Sequence, residues 1–593
     1  MTRMIRAAAL AGAAVVVSSI GPFGQTGPSA ETLAMLDPGR QAKLACGGPR
    51  GAELLRKRLQ LAGLFAGPAA AAMQAPRPLQ AGLGSLDFPI TARGQARSYF
   101  LQGLMLSYGF NHAAAIASFR EGQRLDPDCA LCFWGEAFAH GPNINAPMDD
   151  ASLGPTLAAV EKAQSLRDRV SPEEQALIDA IALRYSADPK AERAALDRAY
   201  ADAMLEAARR FPAHDDIAVL AAEAIMDTLP WDYWEADRRT AKGQIGDAVQ
   251  LIEGVLARNP DHPQAAHLYI HLMENHIEPT RAEAAADRLA RPLVPGAGHL
   301  VHMPAHIYYR IGRYADSISS NVAAARADEQ FLQASGEQGL YRFGYYPHNV
   351  HFIVTSAQMA GDLDTAVRES RRLAGILDGE IASQIAWIQV VHAAPYFAYA
   401  QGATPGQILA LPEADPRLPY VAAMRHYARA TAYAQQLDRP NFERELVALR
   451  GVRTGTDFQA MVDQGVPAPD LLQLAEKVAE GRFALAARRY AEAADRFREA
   501  AAIEDSIPYM EPPYWYYPVR QSLGAALYKA GRHDEARQAF REALLRAPNS
   551  GWALYGLAAT ERALGNELEA AAADQAMRRA WLGNPAWLKM ERL

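Results

Sequence analysis

Apolar and polar residues alternate along this chain at the three- and four-residue spacing of amphipathic helices, and the pattern recurs in units. Near the C-terminal end, YKAGRHDEARQAFREALLRAP is followed by ERALGNELEAAAADQAMRRAW, with Gly531 and Gly565 standing 34 residues apart. AARRYAEAADRFREAAAI fits the same template. Its Phe497 precedes Phe540 by 43 residues, nine more than the period, and the excess falls in the segment holding YMEPPYWYYP. Further units read GFNHAAAIASFREGQRLDPD, IGDAVQLIEGVLARNPDHP, IGRYADSISSNVAAA and AGDLDTAVRESRRLAGIL. Each predicts two helices joined by a tight turn, with Gly for a left-handed backbone and small residues such as Ala114 and Ala536 for close packing. One hairpin cannot bury its apolar face alone, whereas stacked neighbours can. Ser171-Pro-Glu-Glu174 is a capping box that starts a further helix. The expected fold class is an all-α helical-hairpin superhelix, an α-solenoid.

The period and the hairpin template resemble the tetratricopeptide repeat (TPR) superfamily over roughly residues 95–585. The strings FNHAAAI, HGPNIN, HLYIH, AGHLVHMPAHIY, HNVHF and EPPYWYYPVR resemble a narrower group of bacterial TPR proteins with histidine-rich central repeats. That narrower resemblance implies no activity. The wider one implies a concave groove lined by the first helix of each pair, which contacts ligand. On this reading the chain divides into a signal or anchor segment (1–30) and a Gly/Pro/Ala-rich lead-in (31–90), expected to be poorly ordered in part. N-terminal repeats (91–260), His-rich central repeats (261–380), degenerate repeats (381–468) and C-terminal repeats (469–593) follow.

Composition agrees with a helical protein, and a net charge of -7 leaves no basic surface for nucleic acid. The opening MTRMIRAAALAGAAVVVSSIGPFG has the layout of a secretory signal, so a periplasmic or secreted protein is expected. Membrane attachment extends to an uncleaved N-terminal anchor at most, and a cytoplasmic apolar tail is the alternative. Cys129 and Cys132 form a CxxC without a following His. A disulfide is one reading; two small packing residues at a helix junction is the expectation.

Nine of the fifteen histidines fall between His262 and His351, eight of them in HLYIHLMENH, HLVHMPAHIYYR and YYPHNVHF. Imidazole is the commonest neutral metal ligand. With Gly312 at turn position 15, His299, His302 and His306 fall at positions 2, 5 and 9. With Gly361 there, His348 and His351 fall at 2 and 5. With Ala282 at position 20, His267 and His271 fall at 5 and 9 and Glu274 at 12. The TPR resemblance places positions 2, 5, 9 and 12 on the groove. A transition-metal site of His267, His271, Glu274, His299, His302, His306, His348 and His351 is therefore expected, holding copper, iron or zinc. Met273 and Met303 tilt the choice toward copper, and His267, His271 and Glu274 would by themselves suit iron or zinc. His262 and His276 fall outside the stripe, and the isolated His112, His140, His214, His392, His426 and His533 read as structural. Pro304, at position 7, either kinks its helix or leaves His299 and His302 in the preceding loop.

Tyr309, Tyr346 and Glu274 are the catalytic candidates, with Tyr308 and Tyr345 as gating residues or proton donors. Trp134 and Asn143 of the GPNIN turn are expected to form an end wall of the groove. Glu511 and Trp515 sit in an insertion that would reach over it as a lid, or simply pack. No nucleotide-binding glycine loop, nucleophile elbow or HExxH motif is present. The sequence thus predicts an exported solenoid with metal-dependent, oxidoreductase-type chemistry on a small molecule or peptide in its groove. A non-catalytic scaffold for protein partners and a metal storage or delivery protein are the alternatives.

Overall fold

A computed structural model describes residues 27–44 and 78–593, apart from residues 292, 338, 340 and 509. Residues 1–26 of the signal or anchor segment (1–30) and residues 45–77 of the lead-in (31–90) lie outside the described residues. From Ala96 to Ala580 the chain runs as successive helical pairs, beginning with Ala96–Tyr108 against His112–Leu125. The last pairs are Ala468–Ala486 with Tyr490–Ser506, Val519–Lys529 with His533–Arg546, and Gly551–Ala563 with Glu567–Ala580. The capping box at Ser171 and Glu174 is formed, each side chain taking the other residue's backbone N–H. Among the described residues no helix is long and apolar enough to cross a membrane.

Small residues set the spacing between helices. A Cβ on Gly103 or Gly135 would come within 2.6 Å of the Phe119 ring, and one on Gly524 or Gly556 within 2.8 Å of Phe540. Phe119 and Phe540, each in the middle of a second helix, therefore fill the space left by two glycines on flanking first helices. Cys129 and Cys132 correct the packing expectation: their sulfurs are bonded, across the N-terminal turn of the helix Ala130–His140, and both residues are fully buried.

The solenoid does not stay open. Open solenoids contact only nearest neighbours, but here both ends fold back onto the central repeats. Trp552 Nε1 donates to the Gln358 carbonyl at 2.9 Å, Asn549 Nδ2 to that of Gly312 at 2.9 Å, and Leu582 N to that of Ala360 at 2.9 Å. From the other end, Gly296 N donates to Gly82 O at 2.8 Å and Asn145 Nδ2 reaches the Tyr345 hydroxyl at 3.5 Å. Even the short helices Ala30–Met35 and Pro38–Leu44 return to the C-terminal repeats, where Asn549 N donates to Gln41 Oε1 and Ser29 N to Glu569 Oε1.

Buried apolar residues form two cores that meet in the central repeats. The helix Pro304–Arg310 contributes Ile307 and Tyr308 to one and Ala305 and Tyr309 to the other. The seam between two cores is where the histidines lie. The closure depends on Gly361, which has φ +77° and would place a Cβ 2.2 Å from the Trp581 ring. Gly361→Ala should therefore destabilise the protein by about 2 kcal/mol through strain and overpacking. A lower urea midpoint at unchanged m would show it, and an unchanged midpoint would refute the closure contact.

A candidate metal centre of two histidine sets

Four helices deliver the histidines: α1 (Pro263–Glu274), α2 (Gly298–His302), α3 (Pro304–Arg310) and α4 (Tyr346–Ala360). Pro304 divides α2 from α3 at Met303, whose backbone stays helical at φ -50°, ψ -39°. The result is a jointed helix, so His299 and His302 remain helical rather than entering a loop. Gly298 lets α2 approach Asp328, whose Oδ1 would lie 1.8 Å from a Cβ there. Asp328 in turn accepts from Asn349 Nδ2 at 2.6 Å, which ties α2 to α4.

Six histidines converge as two sets of three, with the ligand atoms of each set lying within 4.8 Å of one another. The first is His267, His271 and His299; the second is His302, His306 and His348. In the first, His267 Nε2 is 3.0 Å from His271 Nε2 and 3.2 Å from His299 Nε2. In the second, His302 Nε2 is 2.8 Å from His306 Nε2. His348 is half-buried, and the other five are buried.

For His267 and His302, the partner on the far side of the ring fixes which nitrogen is free. Gln264 Nε2 donates to Glu223 Oε2 at 3.0 Å, which turns the Gln264 oxygen toward His267 Nδ1 at 2.8 Å. His267 Nδ1–H therefore donates outward and the Nε2 lone pair points into the set. Asn321 does the same for His302: its Nδ2 donates to Ser317 O at 2.8 Å and its Oδ1 faces His302 Nδ1 at 2.6 Å. His306 Nδ1 lies 3.0 Å from Glu274 Oε2.

Burial pushes the first set toward the neutral form. It drives His267 down to about 3, and it lowers His271 and His299 well below the ordinary value, with neighbouring imidazoles adding to the effect. His302 and His348 are lowered for the same reasons. His306 is the exception. Burial pulls it down, but Glu274, with help from Glu511, outweighs that and raises it.

Two phenyl rings back the sets. Phe110 lies 4.7, 6.0 and 5.1 Å from the rings of His267, His271 and His299, and Phe352 lies 4.9, 4.9 and 5.0 Å from those of His302, His306 and His348. Phe110 occupies left-handed backbone at φ 55°, a conformation that costs a bulky residue roughly 1–2 kcal/mol. The residue-type pattern of GFNH offered this clue, since a Phe follows the Gly where a turn would favour a second flexible residue. Gln264, Asn321 and Phe352 carried no comparable signal; they matter only through tertiary contact.

Several expected site residues lie elsewhere. His351 belongs to neither set, because its Nε2 meets the Tyr516 hydroxyl at 2.9 Å on the other side of α4. Glu274 does not complete a set with His267 and His271; the end of α1 carries it to His306, where Glu511 joins it within 4.8 Å. Tyr346 donates to Glu329 at 2.7 Å, away from the histidines. Tyr308 likewise donates to Asp287 at 2.8 Å. Tyr309 packs on Phe352, with ring centroids 5.9 Å apart, and so stays beside the second set. Tyr345 packs on His299, with ring centroids 4.7 Å apart.

Trp134 is no groove wall: it is fully buried, stacks on Phe138 at 5.2 Å and donates to Leu177 O. Asn143 is hydrogen-bonded to His112 at 3.2 Å, beside a cavity of about 90 Å³ lined by Phe110, Asn143, Tyr341 and Tyr345. That contact gives His112 a place at the edge of the site. The 510–518 segment covers the second set with Glu511, while Trp515 packs into the core against Phe397 at 4.9 Å. His262 and His276 lie outside both sets, His262 near Asp216 and His276 against Trp234.

Residues 96–129 and 519–550 each match the tetratricopeptide repeat. The chain carries tetratricopeptide repeats. No curated protein matches it. Among solved structures, the human IFIT1 dimer with m7Gppp-AAAA is 12% identical over 93% of this chain and 99% of that one, with a TM-score of 0.28. The P58(IPK) TPR domain is 14% identical over 80% and 99%, with a TM-score of 0.20. Naa15/Naa10 bound to HypK-THB is 12% identical over 84% and 74%, with a TM-score of 0.21. Superpositions this loose carry nothing about ligands.

A pH dependence follows from the neutral imidazoles. In the metal-free protein, His267 and His351, both pushed down to about 3 by burial, bind fewer protons folded than unfolded. Stability is therefore full above about pH 6.5 and is lost as pH falls toward 3. Urea midpoints taken at pH 7 and pH 5 should show a clear drop at the lower pH. Equal midpoints would mean that these rings are solvated.

Proposed function

We propose that this TPR protein binds two transition-metal ions, one on each histidine set, and uses them for oxidoreductase-type chemistry. The observation that carries the reading is the convergence of imidazole ring nitrogens at 2.8–3.2 Å within two buried sets, in which the outer nitrogens of His267, His302 and His306 already face Gln264, Asn321 and Glu274. Facing lone pairs repel, and a cation between them turns repulsion into coordination. Three nitrogens per ion and no carboxylate in either set favour copper, with zinc and iron next. Three protein ligands also leave a coordination position open, as in catalytic rather than structural sites.

The alternatives have less support. A groove that recognised a peptide through these histidines would need them at the surface, whereas five of the six are buried. Storage or delivery would favour several exposed sites. Export is supported by the signal-like opening and by the Cys129–Cys132 disulfide, since such bonds persist in oxidising compartments.

Protein purified without a histidine tag and dialysed against copper should retain two ions per chain. His267→Ala and His302→Ala should each lose one, and the double variant both. Retention of no metal by the wild type would end this reading. Asn321→Ala, which frees the outer nitrogen of His302, should weaken the second site about 10–100-fold in a competition titration while sparing the first.

A further inference from the structure

The two sets are not separate sites that happen to be neighbours. His299 and His302 lie three residues apart on α2, one turn of the same helix face, yet they serve different sets. Their ring centroids are 6.1 Å apart, and those of His271 and His306 are 6.2 Å apart, so the seam between the sets is crossed twice. With metal–nitrogen bonds of about 2 Å, ions in the two sets fall within reach of one small shared ligand.

The surroundings restrict what that ligand is. Phe110 touches all three rings of one set and Phe352 all three of the other, so each ion has an apolar wall on one side. Charge gives a second limit. Two divalent ions bring four positive charges into a buried site whose nearby carboxyl groups, Glu274 and Glu511, both lie beside His306. Uncompensated charge in such a place is costly. Two cuprous ions carry half that charge and accept three nitrogens, and a bridging dianion would offset the cupric pair.

We propose, on the footing of the copper reading above, that the sets form one dinuclear copper centre whose substrate is dioxygen. Two Cu(I) ions each give one electron to O2. The O–O π bond breaks, two copper–oxygen bonds form, and the product is peroxide bridging two Cu(II) ions. No proton or external reductant enters this step. The six imidazoles remain coordinated throughout, and Gln264 and Asn321 hold the rings of His267 and His302 in register.

The test uses the full chain loaded anaerobically with two Cu(I) ions and then exposed to dioxygen. Uptake of one O2 per two coppers, an intense near-ultraviolet charge-transfer band and an EPR-silent cupric pair are expected. His299→Gln and His302→Gln should each leave one copper with an ordinary mononuclear EPR signal and lower O2 uptake at least ten-fold. Two retained coppers that stay cuprous with no O2 uptake, or that oxidise to two full-intensity, independent EPR signals, would overturn the dinuclear proposal and leave the metal reading standing. Failure to retain copper at all would overturn both. If a variant does not fold, the stoichiometry and EPR of the wild type decide the matter alone.

Discussion

Imidazole lone pairs brought about 3 Å apart repel, so a protein that gathers ring nitrogens this closely has to hold the rings in place from behind. Most of the central structure can be read as that restraint. Gln264 and Asn321 are themselves aimed by donation to Glu223 and to Ser317 O, so each ring sits at the end of a two-step hydrogen-bonded chain. Phe110 and Phe352 close the remaining freedom by packing, and Phe110 accepts unfavourable backbone to do so. Asp328 beneath Gly298 fixes where α2 lies, and with it where His299 and His302 point.

The helical hairpins and the groove-facing register were legible because both are local properties. Turn glycines such as Gly312 and Gly361, with φ of +74° and +77°, sit where the period puts them. Six of the eight expected ligands point as the register implies, at His267, His271, His299, His302, His306 and His348. His351 failed for a local reason of its own: a residue three positions after His348 still lies partly on the same face, but Tyr516 was available to receive it. Glu274 failed because its partner was set by the approach of α3, which no period encodes.

What the sequence could not show was closure. Nothing in a repeat template says that Phe110 and Glu511, 401 positions apart in the chain, come to the same cluster of rings. Register predicted histidines lining an open surface; the return of both ends converted that surface into an interior. Burial then changed the chemistry of the same residues. In water they would titrate near neutrality, whereas here burial pushes most of them toward the neutral form, and at His306 alone Glu274 reverses the direction.

Closure also has a consequence for how such a chain can diverge. An open solenoid tolerates gain or loss of a repeat, since each unit answers only to its neighbours. In this chain the hydrogen bonds from Asn549 to Gly312 and from Leu582 to Ala360 span more than two hundred residues. Adding or removing one hairpin between them would rotate the returning arm by a full repeat and leave those groups facing nothing. The number of repeats is thereby locked, and variation is confined to the loops and to the outward faces of the second helices.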